Sequence, residues 1–190
     1  MQPETIMYLV DTNVISEVRK RSNANKGVRA FFKQAIAEQS PMFISVVTVS
    51  ELRRGVELIR HRGDTRQAKQ LEKWLEALLA EYQDAILDIN SDIAQLWGRL
   101  RVPHPENALD KLIAATALIY DLTVVTRNHK DFERTGVRLL NPFDDGRRII
   151  DKSWPIAAIR AAIDNPRPAG PQTPATAVDN LGGISPDWCE

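Results

Sequence analysis

Short apolar runs rich in β-branched and aliphatic residues recur along this chain, at residues 6–10, 42–46, 85–89, 122–126 and 137–140. Longer stretches of helical periodicity separate them. Few folds accept that alternation. Strands this apolar suit a parallel sheet buried on both faces, and the helices between them serve as right-handed crossovers. The expected fold class is therefore α/β, an α/β/α sandwich. Helices are expected at about 13–20, 25–38, 48–61, 65–81, 91–101 and 108–120, with a short one at 129–134. Over 108–120, Leu109, Leu112, Ile113, Thr116, Ile119 and Tyr120 make a wide apolar stripe. Helix 65–81 reads as amphipathic, with its charged face towards solvent or a partner.

The chain's 190 residues fit one domain with an appendage. Lys plus Arg and Asp plus Glu each number 25, so no overall basic field draws in nucleic acid, although a local patch can still steer it. Cys189 is the only cysteine, which excludes a disulfide framework and suits a reducing, cytoplasmic compartment. Neither a signal peptide nor an apolar run of membrane-spanning length is evident, so no membrane partner is expected. The composition changes after Pro142. An apolar stretch around Trp154 to Ile163 can form one further helix, and residues 165–187 are too rich in Pro and Gly for a continuous helix or a central strand. The division expected is a domain at 1–143 and a C-terminal extension at 144–190.

The first apolar run ends in acid, at Asp11-Thr12-Asn13. An ionised carboxylate beside a buried core is costly unless something offsets it. Glu51, Asp110 and Asp131 also lie where helices begin. Singly, each has an ordinary explanation. Thr48 and Glu51 match a capping box, and Asn107 and Asn128 stand three residues before Asp110 and Asp131. Together they say more. In an open α/β sheet the carboxyl ends of the strands gather such residues into one crevice. That places Asp11, Glu51 and Asp131 together. Asp110 stands apart in this reasoning, because its helix precedes the fourth strand and would begin at the opposite edge unless the helix is offset or the loop 103–107 folds over. Converging carboxylates repel one another. Hard oxygen donors without cysteine or clustered histidine suit Mg²⁺ or Mn²⁺. His61, His104 and His129 show no ligand spacing and read as surface or locally hydrogen-bonded groups.

Four segments in order carry a resemblance. Val10-Asp11-Thr12-Asn13-Val14-Ile15-Ser16-Glu17 resembles the opening motif of PIN-domain nucleases, in particular VapC/FitB-like toxins of prokaryotic toxin–antitoxin pairs. Ser50-Glu51-Leu52-Arg53-Arg54-Gly55, the segment from Asp110 to Ala117, and the segment from Val125 to Phe132 are similar to the motifs that follow. Gly136-Val137 and Asn141-Pro142-Phe143 resemble the family's ending, so the likeness covers about residues 6–143.

The resemblance implies a five-stranded parallel sheet in the order 3-2-1-4-5, with Asp11, Glu51, Asp110 and Asp131 lining one acidic pocket. It implies a Mg²⁺- or Mn²⁺-dependent ribonuclease that forms a homodimer. It also implies a cognate antitoxin that blocks the pocket, with operator DNA bound only through the toxin–antitoxin complex. On this basis Asp11, Asp110 and Asp131 are expected metal ligands, and Glu51 a ligand of a second ion or an orienter of water. One ion and two are both compatible with the sequence. Asn13, Thr126 and Asn128 are expected supports. Arg53, Arg54 and Arg127 are candidates for phosphate or antitoxin contacts, or for pairing with nearby acids. The competing expectations are a catalytically weak PIN scaffold with an RNA-binding or regulatory role, and a nuclease outside a toxin–antitoxin pair.

Overall fold

The structure, a computed structural model, describes residues 6–144 and the backbone of 149–150. Five parallel strands form the sheet: β1 (Tyr8–Val10), β2 (Met42–Ser45), β3 (Ile86–Leu87), β4 (Thr123–Val125) and β5 (Arg138–Leu140). Their order is β3-β2-β1-β4-β5. A sixth short strand, β6 (Ile149–Ile150), pairs antiparallel with β5. That strand was not expected, since two isoleucines after Gly146-Arg147-Arg148 are too short a run to stand out. The stretch around Trp154 and the Pro/Gly-rich segment lie outside the described residues.

β1 is central, and all three of its residues are buried, as are all of β2 and β4. Helices on both faces bury them: α1 (Thr12–Val18), α2 (Lys26–Ala37), α3 (Val46–His61), α4 (Thr65–Glu81), α5 (Ser91–Leu100) and α6 (Ala108–Tyr120). A 3₁₀ turn spans His129–Phe132, where a short helix was expected. The core joins Leu9, Val10, Phe43, Ile44, Val124 and Val125 of the sheet to Val14, Val28, Leu75, Ile93 and Ile113 of the helices. No described helix is long and apolar enough to cross a membrane.

Two local expectations are corrected. Helix α3 begins at Val46, with Ser45 as its cap accepting from the Val47 amide at 3.2 Å. Thr48 is therefore not a cap. It lies buried inside the first turn, and its hydroxyl has no partner among the described residues. The chain passes straight from β2 into the helix, which places Glu51 in the second turn. Helix α6 is also buried further round than a stripe, through Lys111 to Ala117, while Leu109 in its first turn is 51% exposed. The apolar pattern in that turn therefore does not face the core.

Candidate active site

The strand order reverses between β1 and β4, and in α/β sheets the carboxyl edge at such a switch point is where functional residues gather. Asp11 leaves β1 at this point. It is 4% exposed, and its backbone is tied across the switch by its amide, which donates to the Val125 carbonyl at 3.0 Å. Its carboxylate caps α1, accepting from the Thr12 amide at 2.7 Å. The same carboxylate accepts from Asn13 Nδ2 at 2.6 Å and from the Thr126 hydroxyl at 2.7 Å. Burial pushes the Asp11 carboxyl above its usual range; these bonds oppose that shift, and the nearby charge of Glu51 adds to it.

Thr126, at the end of β4, is fully used. Its hydroxyl donates to Asp11 and accepts from Asn13 Nδ2 and from the Asn128 amide, both at 3.0 Å. That exhausts one donor and two lone pairs. Asn13 closes the ring by accepting from the Arg127 amide at 3.1 Å. Asn13 and Thr126 thus orient Asp11 directly, whereas Asn128 enters through its backbone.

The remaining acids reach the crevice from three further elements. Glu51 on α3 accepts a short hydrogen bond from the Thr12 hydroxyl. Asp131 lies in the 3₁₀ turn after β4 and accepts from Asn107 Nδ2 at 3.2 Å. Asn107 begins α6 in a left-handed conformation (φ 54°) and makes no side-chain cap, which leaves its amide for Asp131. This bond also settles the direction of α6. A helix that feeds the amino end of a parallel strand runs down to it, so it begins at the carboxyl edge. The expectation that Asp110 starts at the opposite edge overlooked that geometry. The Asp110 carboxyl is pushed up to about 6, first by burial and then by the charges of Asp131, Asp11 and Glu51.

Thr12 and Asn107 are the contacts that sequence reasoning missed as site residues. Thr12 was visible between Asp11 and Asn13, but only the fold shows that its hydroxyl crosses to Glu51. The arginines are placed differently from one another. Arg53 is tied to Glu72 on α4, which also accepts from Arg60 at 2.6 Å, so it braces the α3–α4 hairpin. Arg127 stacks over Phe143, 4.9 Å from the ring centroid. Arg54 is exposed. His104 bonds Arg134 and faces Glu106; His61 is exposed; and His129 is half-buried with its Nε2 unpartnered among the described residues.

The donor set at the crevice consists of carboxylates, hydroxyls and amides, chemistry that fits a hard divalent cation. The four carboxylates stand close enough to repel, yet each of Asp11, Glu51 and Asp131 is engaged by neighbouring donors. Among the described residues no group of three or more His, Cys, Asp or Glu side chains is drawn together closely enough to hold a metal ion.

Comparison with known proteins places this architecture. Residues 8–137 match the PIN domain. Toxin FitB of Neisseria gonorrhoeae is 34% identical over 144 residues, covering 73% of this chain and 100% of FitB. VapC ribonuclease Y4jK of Sinorhizobium fredii is 30% identical over 141 residues, covering 73% of this chain and 99% of that protein. The crystal structure of FitAcB from Neisseria gonorrhoeae matches with a TM-score of 0.62 at 34% identity, over 72% of this chain and 99% of the matched chain. A structure of FitAB bound to an IR36 DNA fragment matches with a TM-score of 0.63 at 31% identity, over 74% and 98%. The chain therefore belongs to the PIN-domain family, where it is closely related to the FitB and VapC toxins of type II toxin–antitoxin systems.

Proposed function

We propose that this protein is a metal-dependent endoribonuclease, acting as a toxin that a cognate antitoxin holds in check. The observation that carries the reading is the approach of Asp11, Glu51 and Asp131 to Asp110, whose carboxyl they help to push up to about 6. Strongly perturbed carboxyls in a crevice at a topological switch point mark functional sites. The similarity to a named toxin and a named VapC ribonuclease supports the same reading. The match to a FitAB complex on DNA supports an antitoxin partner, with operator DNA contacted through that complex. A homodimer and a cytoplasmic location belong to the proposal, as does the division into a nuclease unit at 1–143 and an extension at 144–190.

Asp11, Asp110 and Asp131 would hold Mg²⁺ or Mn²⁺, and Glu51 would hold a second ion or the attacking water. Bound there, the ion supplies Lewis acidity at a phosphoryl oxygen and a lower pKa for water. The chain supplies orientation. Asn13 and Thr126 fix the Asp11 carboxylate, Asn107 holds Asp131, and the Thr12 hydroxyl aims Glu51. Glu51 keeps lone pairs with which to accept a proton from water. Water adds to phosphorus, the bond to the 3′ oxygen breaks, and that oxygen takes a proton, leaving a 5′-phosphate and a 3′-hydroxyl.

Purified protein incubated with total RNA should cleave it with Mg²⁺ or Mn²⁺ and stop on addition of EDTA, and Asp11→Asn should cleave at least 100-fold more slowly while remaining folded. Cleavage that survives both EDTA and the substitution overturns the mechanism. One observation favours a second reading, a PIN scaffold that binds RNA with little cleavage: the carboxylates are engaged by side-chain donors rather than gathered as a ready ligand set. RNA binding without metal-stimulated cleavage is the result that reading requires.

A further inference from the structure

Beside the acidic crevice lies a second concavity that the proposed chemistry does not use. A cavity of about 780 Å³ opens beneath the loop 101–107, between the end of α5, the start of α6 and the 3₁₀ turn. Asn107 and Asp131, which are bonded to each other, line it, so it adjoins the group of acids. Its volume lies within the range of about 300–1,000 Å³ usual for small-ligand sites.

The lining has two characters. Leu100, Val102 and Pro103 give an apolar side, while Lys130 in the turn and Arg134 just after it bring cations. Glu106 and Glu133 also line the cavity, so it is not uniformly basic. Lys130 is exposed and forms no ion pair among the described residues. Arg134 is held in place. Its backbone is in the left-handed region (φ 69°), unfavourable for a side chain of this kind, and its Nη1 lies 2.6 Å from His104 Nε2. Since a guanidinium only donates, Nε2 stands as its acceptor, and Nδ1 lies 3.5 Å from a Glu106 carboxylate oxygen. Lys111 is 5% exposed and donates to the His104 carbonyl, tying this loop to α6 and adding buried positive charge to the wall.

An apolar face beside a held guanidinium and an exposed ammonium matches a nucleotide, a base with a flat apolar surface joined to a phosphate. We propose that this cavity is a nucleotide subsite. In it the base of the RNA residue next to the scissile bond lies against Leu100, Val102 and Pro103, and its phosphate is taken by Lys130 and Arg134. The inference rests on the nuclease reading above and gives it a determinant of cut-site preference separate from the carboxylates.

The test uses the full-length protein and the four nucleoside 5′-monophosphates as probes, read by amide chemical shifts, beside steady-state cleavage of short RNA oligonucleotides. At least one monophosphate should shift the signals of Leu100, His104 and Lys130 saturably. Lys130→Ala and Arg134→Ala should each weaken that binding at least five-fold. Both should raise KM about ten-fold with little change in kcat, and relax the cut-site pattern. Arg134→Lys, which keeps the charge without the fork, should recover part of the loss. Lys130→Ala, at an exposed position, keeps the test decisive if the Arg134 variants do not fold.

Wild-type protein that cleaves RNA while both variants keep its KM and cutting pattern overturns the subsite and spares the nuclease. Monophosphate binding that is lost in the variants, in a protein that cleaves no RNA, supports nucleotide binding by this cavity but overturns the nuclease and, with it, the placement beside a scissile bond. Shifts produced by an acidic peptide but by no monophosphate assign the cavity to a protein partner and overturn the proposal.

Discussion

At Asp110 the cost of gathering acids is concentrated on one half-buried carboxyl. In the unfolded chain it titrates near 3.8, and in the fold at about 6. The folded state therefore holds the extra proton between those values. Its stabilising contribution is complete below about pH 3.8 and is lost as pH rises through 6. Solvent screening at this half-exposed group reduces the effect to about 1 kcal/mol. In EDTA, the melting temperature of the wild type relative to Asp110→Asn should drop between pH 4 and pH 6.5; a constant difference would contradict the assignment. Thr126 is the converse case, a residue whose single hydroxyl serves three partners. Thr126→Val leaves the buried Asp11 carboxylate short of a donor, which should cost about 2–3 kcal/mol in urea unfolding and at least ten-fold in cleavage. A loss below about 0.5 kcal/mol would mean the hydroxyl is idle. The identities of Asp11, Glu51, Asp110 and Asp131 could be read as candidates in the sequence, because acids after apolar runs are costly and so conspicuous. The bonds from Thr12 to Glu51 and from Asn107 to Asp131 could not, since each joins residues that only the fold makes neighbours.

Among the elements, the strands were legible because apolar runs such as Met42-Phe43-Ile44 have no polar face to confuse their period. Helix α4 (Thr65–Glu81) was legible because its apolar residues recur at helical spacing. The start of α3 was not. Thr48-Val49-Ser50-Glu51 fits a capping box, but Ser45 also fits a cap, and the abrupt end of β2 decides in favour of Ser45. Thr48 is left inside the helix with a buried, unpartnered hydroxyl. Thr48→Val should therefore be neutral or stabilising by up to about 1 kcal/mol in urea unfolding, since a polar atom without a partner is removed at nearly constant shape. Destabilisation beyond about 1.5 kcal/mol would show that the hydroxyl is paired. The α3–α4 hairpin has its own brace in Arg53, Glu72 and Arg60, which explains why Arg53 follows Glu51 so closely in the chain without turning into the crevice.

For the molecule as a whole, the order β3-β2-β1-β4-β5 makes the space between β1 and β4 the switch point, and acids from four separate segments approach one another there. Chain order alone places three acids there and sets Asp110 at the opposite edge, whereas a helix that feeds the amino end of a parallel strand begins at the carboxyl edge. The bond from Asn107 to Asp131 ties the start of α6 to the carboxyl edge of the sheet. The central claim is that these four carboxylates act as one divalent-cation site. Isothermal titration of Mn²⁺ into metal-free protein tests it most directly. The account predicts saturable binding in the wild type that is weakened at least ten-fold by either Asp11→Asn or Asp110→Asn. Wild-type protein that takes up no Mn²⁺, or variants that bind it as the wild type does, would contradict it.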